Sequence, residues 1–139
     1  MQTFLPYSDY QQTAKCLDYR RLGKQRVEAY QIYKLVSGER TTGGWINHPA
    51  VKMWHGYPDA LAQYQNAMID EWIIRGYRNK MDHLPVRQPV RYPDWLGYSK
   101  LHESHQSNLL SKDLQFYSKY KWDVVIGLPY YWPTEQMTN

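Results

Sequence analysis

The stretch Leu17-Asp18-Tyr19-Arg20-Arg21-Leu22-Gly23-Lys24-Gln25-Arg26-Val27-Glu28 decides how the chain is read. Wound at about 100° per residue, it puts Arg20, Arg21, Lys24, Gln25, Glu28 and Gln31 on one arc, and Leu22, Ala29, Tyr33 and Val36 on the opposite one. That period predicts an amphipathic helix running through Val36 and stopping at Ser37-Gly38, because glycine takes the left-handed turn that ends helices. Gly23 lies inside it and costs roughly 1 kcal/mol relative to alanine, so it marks a bend, a boundary between two helices, or the close approach of something large. Between Lys15 and Arg26 stand five basic residues and one acid, an excess of four that equals the formal +4 of the whole chain. The positive charge is therefore local. A face with so many cations and a single carboxylate suits a polyanion backbone together with one acid or base. The same run also reads as an ordinary solvated face.

Working outward, residues 1–7 are expected to be extended, because Pro6 disfavours helix at Leu5, and Ser8 is a plausible cap for a short helix to about Leu17. On the other side, residues 39–44 form a loop, and Asn47-His48-Pro49 is a helix start, predicting a short helix to about His55. Pro58-Asp59 opens the clearest helix, with Leu61, Tyr64, Met68, Ile69, Trp72 and Ile73 at helical spacing before Gly76. Pro85, Pro89 and Pro93 make residues 78–98 a long irregular connection, of the kind that often carries function. Ser99 begins a further helix to about Ser111, and the aromatic tail over 114–133 holds one short helix or extended pieces near residues 124–126. The expectation is an all-α fold, a compact helical bundle in one domain over residues 1–139.

Composition narrows the function. A chain of 139 residues can bury a core without staples, and its lone Cys16 permits neither an internal disulfide nor a paired-cysteine metal framework. No stretch approaches the roughly 18 apolar residues that span a bilayer, and the first residues do not resemble a secretory signal. A cytoplasmic location without membrane contact is expected. Fourteen tyrosines and six tryptophans against two phenylalanines give most rings a polar handle. Such rings stack nucleobases on wet surfaces or fill a small core.

Cleaving the glycosidic bond of a nucleoside requires an acid or base near the sugar and often an amine that attacks its anomeric carbon. Lys24 and Glu28, four residues apart, share a helix face and form the nearest such pair; they also read as a plain surface ion pair. His102, His105 and Asn108 share a face of the later helix, where they suit contact with phosphate or a base edge, or simply packing and capping. Two imidazoles at that spacing can bind a metal, but a four-ligand set is not visible, and no metal or cofactor is expected. His48, with Trp45 and Trp54, is a candidate pocket residue.

Residues 17–24 (LDYRRLGK), 48–54 (HPAVKMW), 62–64 (AQY) through 74–78 (IRGYR), and 102–109 (HESHQSNL) together resemble the pyrimidine-dimer DNA glycosylase (endonuclease V-type) family. The run RLGKQRVE over 21–28, with HQSN over 105–108, is similar to bacterial and phage members of that group. The resemblance implies a helical protein that binds duplex DNA, flips a nucleotide, cuts the glycosidic bond with an N-terminal amine and a helix glutamate, and then cleaves the abasic strand. Two positions depart from the family's pattern. Arg21 stands where the family has its glutamate, just after the Tyr-Arg pair, and Glu28 lies about two turns further on. The family's amine belongs to a small residue exposed when Met1 is removed, whereas bulky Gln2 retains Met1 here. The expected catalytic residues are therefore Glu28 with Lys24 or the Met1 amine. Expected DNA contacts are Arg20, Arg21, Lys24, Gln25, Arg26, His48, His102, His105 and Asn108. The leading expectation is a DNA glycosylase-like enzyme that removes a modified or damaged base, without a protein partner. Its rivals are a non-catalytic nucleic-acid-binding protein of the same fold and an enzyme acting on free nucleosides or nucleotides.

Overall fold

The computed structural model describes residues 1–133; the last six residues of the expected domain, 134–139, lie outside the described residues. Six α-helices follow one another: α1 (Tyr10–Cys16), α2 (Tyr19–Val36), α3 (Pro49–Lys52), α4 (Pro58–Ile74), α5 (Ser99–Lys112) and α6 (Leu114–Tyr117), then a 3-10 turn over Ser118–Tyr120. Among the described residues there is no strand, and no helix is long and apolar enough to cross a membrane. The all-α expectation holds. The first helix starts later than expected because its cap is Asp9, not Ser8: the Asp9 carboxylate accepts the Gln12 N–H at 2.8 Å. Helix α3 starts at Pro49, within the predicted Asn47-His48-Pro49 start and with His48 as its cap, but ends at Lys52, short of His55.

Helices α2 and α4 form the main packed pair, with α1 against α4. Their apolar stripes bury Leu22, Ala29 and Ile32 from α2 and Leu61, Tyr64, Met68 and Ile69 from α4. Gly23 does not divide α2, which runs unbroken from Tyr19 to Val36. A Cβ there would lie 3.0 Å from Cζ3 of Trp72, so the large group approaching it is the α4 indole, and glycine allows the two helices to close. Arg75, just past α4, donates to the carbonyl oxygens of Ala14, Lys15 and Leu17 and pairs with Glu71 at 2.8 Å. It supplies the end of α1 with the donors that a helix C-terminus lacks. Cys16 is buried in this packing, which pushes its thiol up to about 12.

The irregular connection over 78–98 is held by one polar face of α4, repeating at helical spacing. Asp59 accepts the Arg87 N–H, Gln63 meets the Tyr92 hydroxyl, Asn66 bonds both the N–H and the C=O of Leu84, and Asp70 meets His83. The Trp95 indole N–H then ties the segment to the Met53 carbonyl at 2.9 Å.

Residues 1–5 belong to neither helix nor strand, as expected before Pro6, the chain bends from Pro6 onward, and all of residues 1–6 but Met1 are buried. A buried segment outside helix or sheet must find side-chain partners for its peptide groups. Its N–H groups go to Glu28 Oε2 from Gln2 (3.2 Å), to Gln2 Oε1 from Thr3 (2.9 Å), to Gln25 Oε1 from Phe4 (3.0 Å) and to His105 Nδ1 from Leu5 (2.8 Å). Its carbonyls accept from Gln25 Nε2 at Gln2, Tyr64 Oη at Phe4, His102 Nδ1 at Leu5 and Gln106 Nε2 at Pro6, all within 2.9 Å. The two histidines, one turn apart on α5, thus grip both sides of Leu5. Both are neutral. His102 donates from Nδ1 and accepts the Gly97 N–H at Nε2, and burial lowers its pKa. His105 accepts at Nδ1 and is fully buried against the rings of Phe4 and Tyr130; burial, helped by His102, lowers it to about 3.

Both imidazoles have folded pKa values below the ordinary 6.5, so under about pH 6.5 the unfolded chain binds protons that the folded one refuses. Stability is expected to be complete above that pH and to fall as acid is added, by about 1.4 kcal/mol per pH unit for His105. Urea denaturation between pH 7 and pH 4 reads this slope, and His105→Gln should remove part of it. An unchanged slope in that variant would take His105 out of the acid response.

Candidate active site

One cleft of about 970 Å³ opens where α2, the N-terminal segment and the C-terminal part of the chain meet. Helix α2 contributes Arg20, Arg21, Lys24, Gln25 and Glu28, the polar arc read from the sequence without its last member, Gln31. The N-terminal segment adds Met1, Gln2 and Phe4, and the other residues include Lys112, Asp113 and Tyr130. The three expected catalytic residues, Met1, Lys24 and Glu28, therefore line one space. Glu28 is half-buried and holds the Gln2 amide, while Lys24 is exposed one turn earlier.

The charges in this cleft are not equally available. Asp18 caps α2 and is nearly buried, which by itself would raise its pKa, but the Tyr117 hydroxyl and the Arg21 guanidinium at 3.1 Å outweigh that and hold it below the usual carboxylate range. Arg21 and Asp18 are thus spent largely on each other. Asp113 caps α6 through the Phe116 N–H at 3.1 Å. Among the described residues Arg20, Lys24 and Lys112 form no ion pair, so the cleft keeps cations for an anion from outside.

A family model described as pyrimidine dimer DNA glycosylase matches residues 1–85, more than half of the chain. The chain belongs to the pyrimidine dimer DNA glycosylase family. Comparisons with curated proteins and with solved structures return no match. In this family member the matched part contains the N-terminal segment and α1 to α4, hence Met1 and the whole α2 arc; Lys112, Asp113 and Tyr130 come from beyond it.

Several residues expected at the DNA surface of this glycosylase-family protein are placed otherwise. Gln25 borders the cleft, but it is buried and its amide is engaged by Gln2 and Phe4, with Tyr64 Oη a further 2.6 Å from Oε1. Arg26 leaves the cleft: its guanidinium stacks 4.2 Å over the Trp72 ring and donates to Asn79 at 2.7 Å. His102 and His105 lie beneath the N-terminal segment, as described above, with their Nδ1 atoms taken by Leu5. Asn108 reaches the Leu128 carbonyl at 3.0 Å. His48 caps α3 through the Ala50 N–H at 3.0 Å and packs edge-on to Trp45 and Trp132. The physical reason is common to the buried ones: helical projection ranks polarity, but a buried extended segment consumes polar side chains from the inner face.

Sequence reasoning missed Gln2, Phe4, Lys112, Asp113 and Tyr130. The extended reading of residues 1–7 pointed toward the first two. Nothing local marks the other three: Lys112 is the last residue of α5, and Asp113 and Tyr130 follow it, so all three reach the cleft only through the way α5 and the chain beyond it pack.

Replacing Gln25 by leucine removes the bridge between α2 and the N-terminal segment, leaving the Phe4 N–H and the Gln2 carbonyl without it. Gln25→Leu should lose about 2–4 kcal/mol in urea denaturation and speed amide exchange at Phe4. A loss below about 1 kcal/mol, with exchange unchanged, would mean that the segment is held without Gln25.

Proposed function

We propose that this protein is a DNA glycosylase that removes a damaged or modified base from duplex DNA and proceeds to the abasic strand. One observation carries the reading: Met1, Lys24 and Glu28 converge on a single cleft that also holds cations without ion-pair partners among the described residues. Its volume stands at the upper end of the roughly 300–1,000 Å³ typical of small-molecule sites, so a nucleotide turned out of the helix fits within it.

In this reading Arg20 and Lys112 hold the phosphates on either side of the flipped nucleotide. An uncharged amine, from Met1 or Lys24, attacks the anomeric carbon. The glycosidic bond breaks, and the base leaves with the bonding electrons and takes a proton. Glu28 accepts the proton released by the attacking nitrogen and stabilises the positive charge that develops on the sugar. Opening of the sugar ring, as its oxygen takes a proton, gives an imine; Glu28 then removes the acidified C2′ proton, the 3′-phosphate leaves with the C3′–O electrons and the strand is cut, and water hydrolyses the imine to free the amine. Glu28 thereby does the work of the glutamate that the family carries where Arg21 stands. Its hold on the Gln2 amide keeps the carboxylate beside the start of the chain.

The direct test is incubation with ultraviolet-irradiated and naturally modified DNAs, with mass spectrometry for released bases and gels for strand breaks. Release of one base is expected, together with a borohydride-trapped adduct whose peptide mapping distinguishes Met1 from Lys24. Binding without release, cleavage or adduct would instead establish the non-catalytic reading, which the arginine at position 21 favours. Glu28→Gln should slow base release by about a hundredfold or more while DNA affinity stays within about twofold; undiminished release would remove Glu28 from the chemistry. Arg20→Ala and Lys112→Ala should each lower the dependence of log affinity on log salt by about one, and an unaltered slope would take that residue off the phosphates.

A further inference from the structure

Between the 3-10 turn and Tyr130 the chain makes an apolar turn whose side chains face solvent. Val125 is 71% exposed, Ile126 50% and Leu128 37%. The backbone beneath them is nonetheless fixed. The Ser107 hydroxyl donates to the Val125 carbonyl at 2.6 Å and accepts the Leu128 N–H at 2.9 Å, so one α5 side chain closes the turn from both ends. Asn108 adds its bond to the Leu128 carbonyl, and Gly127 takes the positive φ of +94° that the reversal needs. A tip that is anchored by polar bonds yet presents stiff, β-branched apolar side chains to water forgoes the burial available to such groups.

The position of this tip narrows what covers it. Two residues after Leu128 the chain reaches Tyr130 in the cleft, and one helical turn after Asn108 stands Lys112, also in the cleft. The apolar tip is therefore tied at both anchors to segments that wall the cationic site, two residues from Tyr130 and one helical turn from Lys112.

We propose that the turn over 125–128, led by Ile126, is a wedge that enters the base stack of duplex DNA next to the nucleotide held in the cleft. This deepens the glycosylase reading and rests on it. Turning a nucleotide out leaves a gap between neighbouring bases, and an apolar side chain inserted there replaces lost stacking and resists return of the base. Because Ser107 and Asn108 already order the tip, insertion costs little conformational entropy.

The test uses a duplex with a tetrahydrofuran abasic site and 2-aminopurine beside it. Binding of the wild-type protein should raise 2-aminopurine fluorescence as the neighbouring base loses its stack. Ile126→Ser should bind but lose most of that rise, and Ile126→Leu should restore it. In parallel, the ratio of base release from duplex to release from single-stranded DNA should fall about tenfold in Ile126→Ser. An undiminished rise in Ile126→Ser overturns the wedge, as does a loss of release equal on both substrates. A change in sedimentation of the free protein on Ile126→Ser also overturns it, since a second copy would then cover the tip. Should the wild type release no base yet give an Ile126-dependent rise, the glycosylase reading falls and the wedge stands.

Discussion

The structure depends on an N-terminal segment, outside helix and strand, that is buried among helices with its peptide groups bonded to side chains. A strand would have paired those groups with a neighbour and a helix with itself; here Glu28, Gln25, Tyr64, His102, His105 and Gln106 take them one by one. Each unmade bond in such a place costs on the order of 1–3 kcal/mol, so the segment is either fully held or released. Burial of the polar partners is possible only because the segment lies between them. The helices and the segment thus specify one another.

That constraint explains the dual character of α2. Gln25 turns inward to serve the segment, and Glu28 reaches it at the margin, while Arg20, which donates to the Tyr19 hydroxyl, and Lys24 line the cleft without an ion pair among the described residues. The remaining cation of the run, Arg26, goes to the α4 side and packs on Trp72, the ring that Gly23 makes room for. A basic run that looks uniform in sequence is divided in space among an ion pair, an aromatic stack and an open cleft. The division matters for chemistry, because only charges without internal partners can meet a phosphate at full strength.

The departure from the family's pattern at position 21 also acquires a structural account. Arg21 pairs with the carboxylate that caps its own helix, and the Tyr117 hydroxyl completes the arrangement from α6. An acid in that place would face Asp18 across the same turn and lose the pair. Glu28, half-buried at the border of the cleft, is the carboxylate that bonds the Gln2 amide.

The helices were legible because they are written locally. Apolar spacing in 58–74, the stop at Gly38 and the proline-led starts at Pro49 and Pro58 depend only on neighbours a turn away, and the polar arc of α2 likewise placed Arg20, Arg21, Lys24 and Glu28 on one face. The family, too, could be read from short motifs. What the sequence alone could not decide was which polar residues the fold would use up. His102 and His105 share a face in any helix, yet whether that face meets solvent or Leu5 is set by a segment about a hundred residues away in the chain. The same holds for Lys112, Asp113 and Tyr130, which join the cleft through packing over long separations. Local periodicity fixes direction on a helix; burial, and with it the choice between structural and chemical roles, belongs to contacts that only the tertiary fold makes.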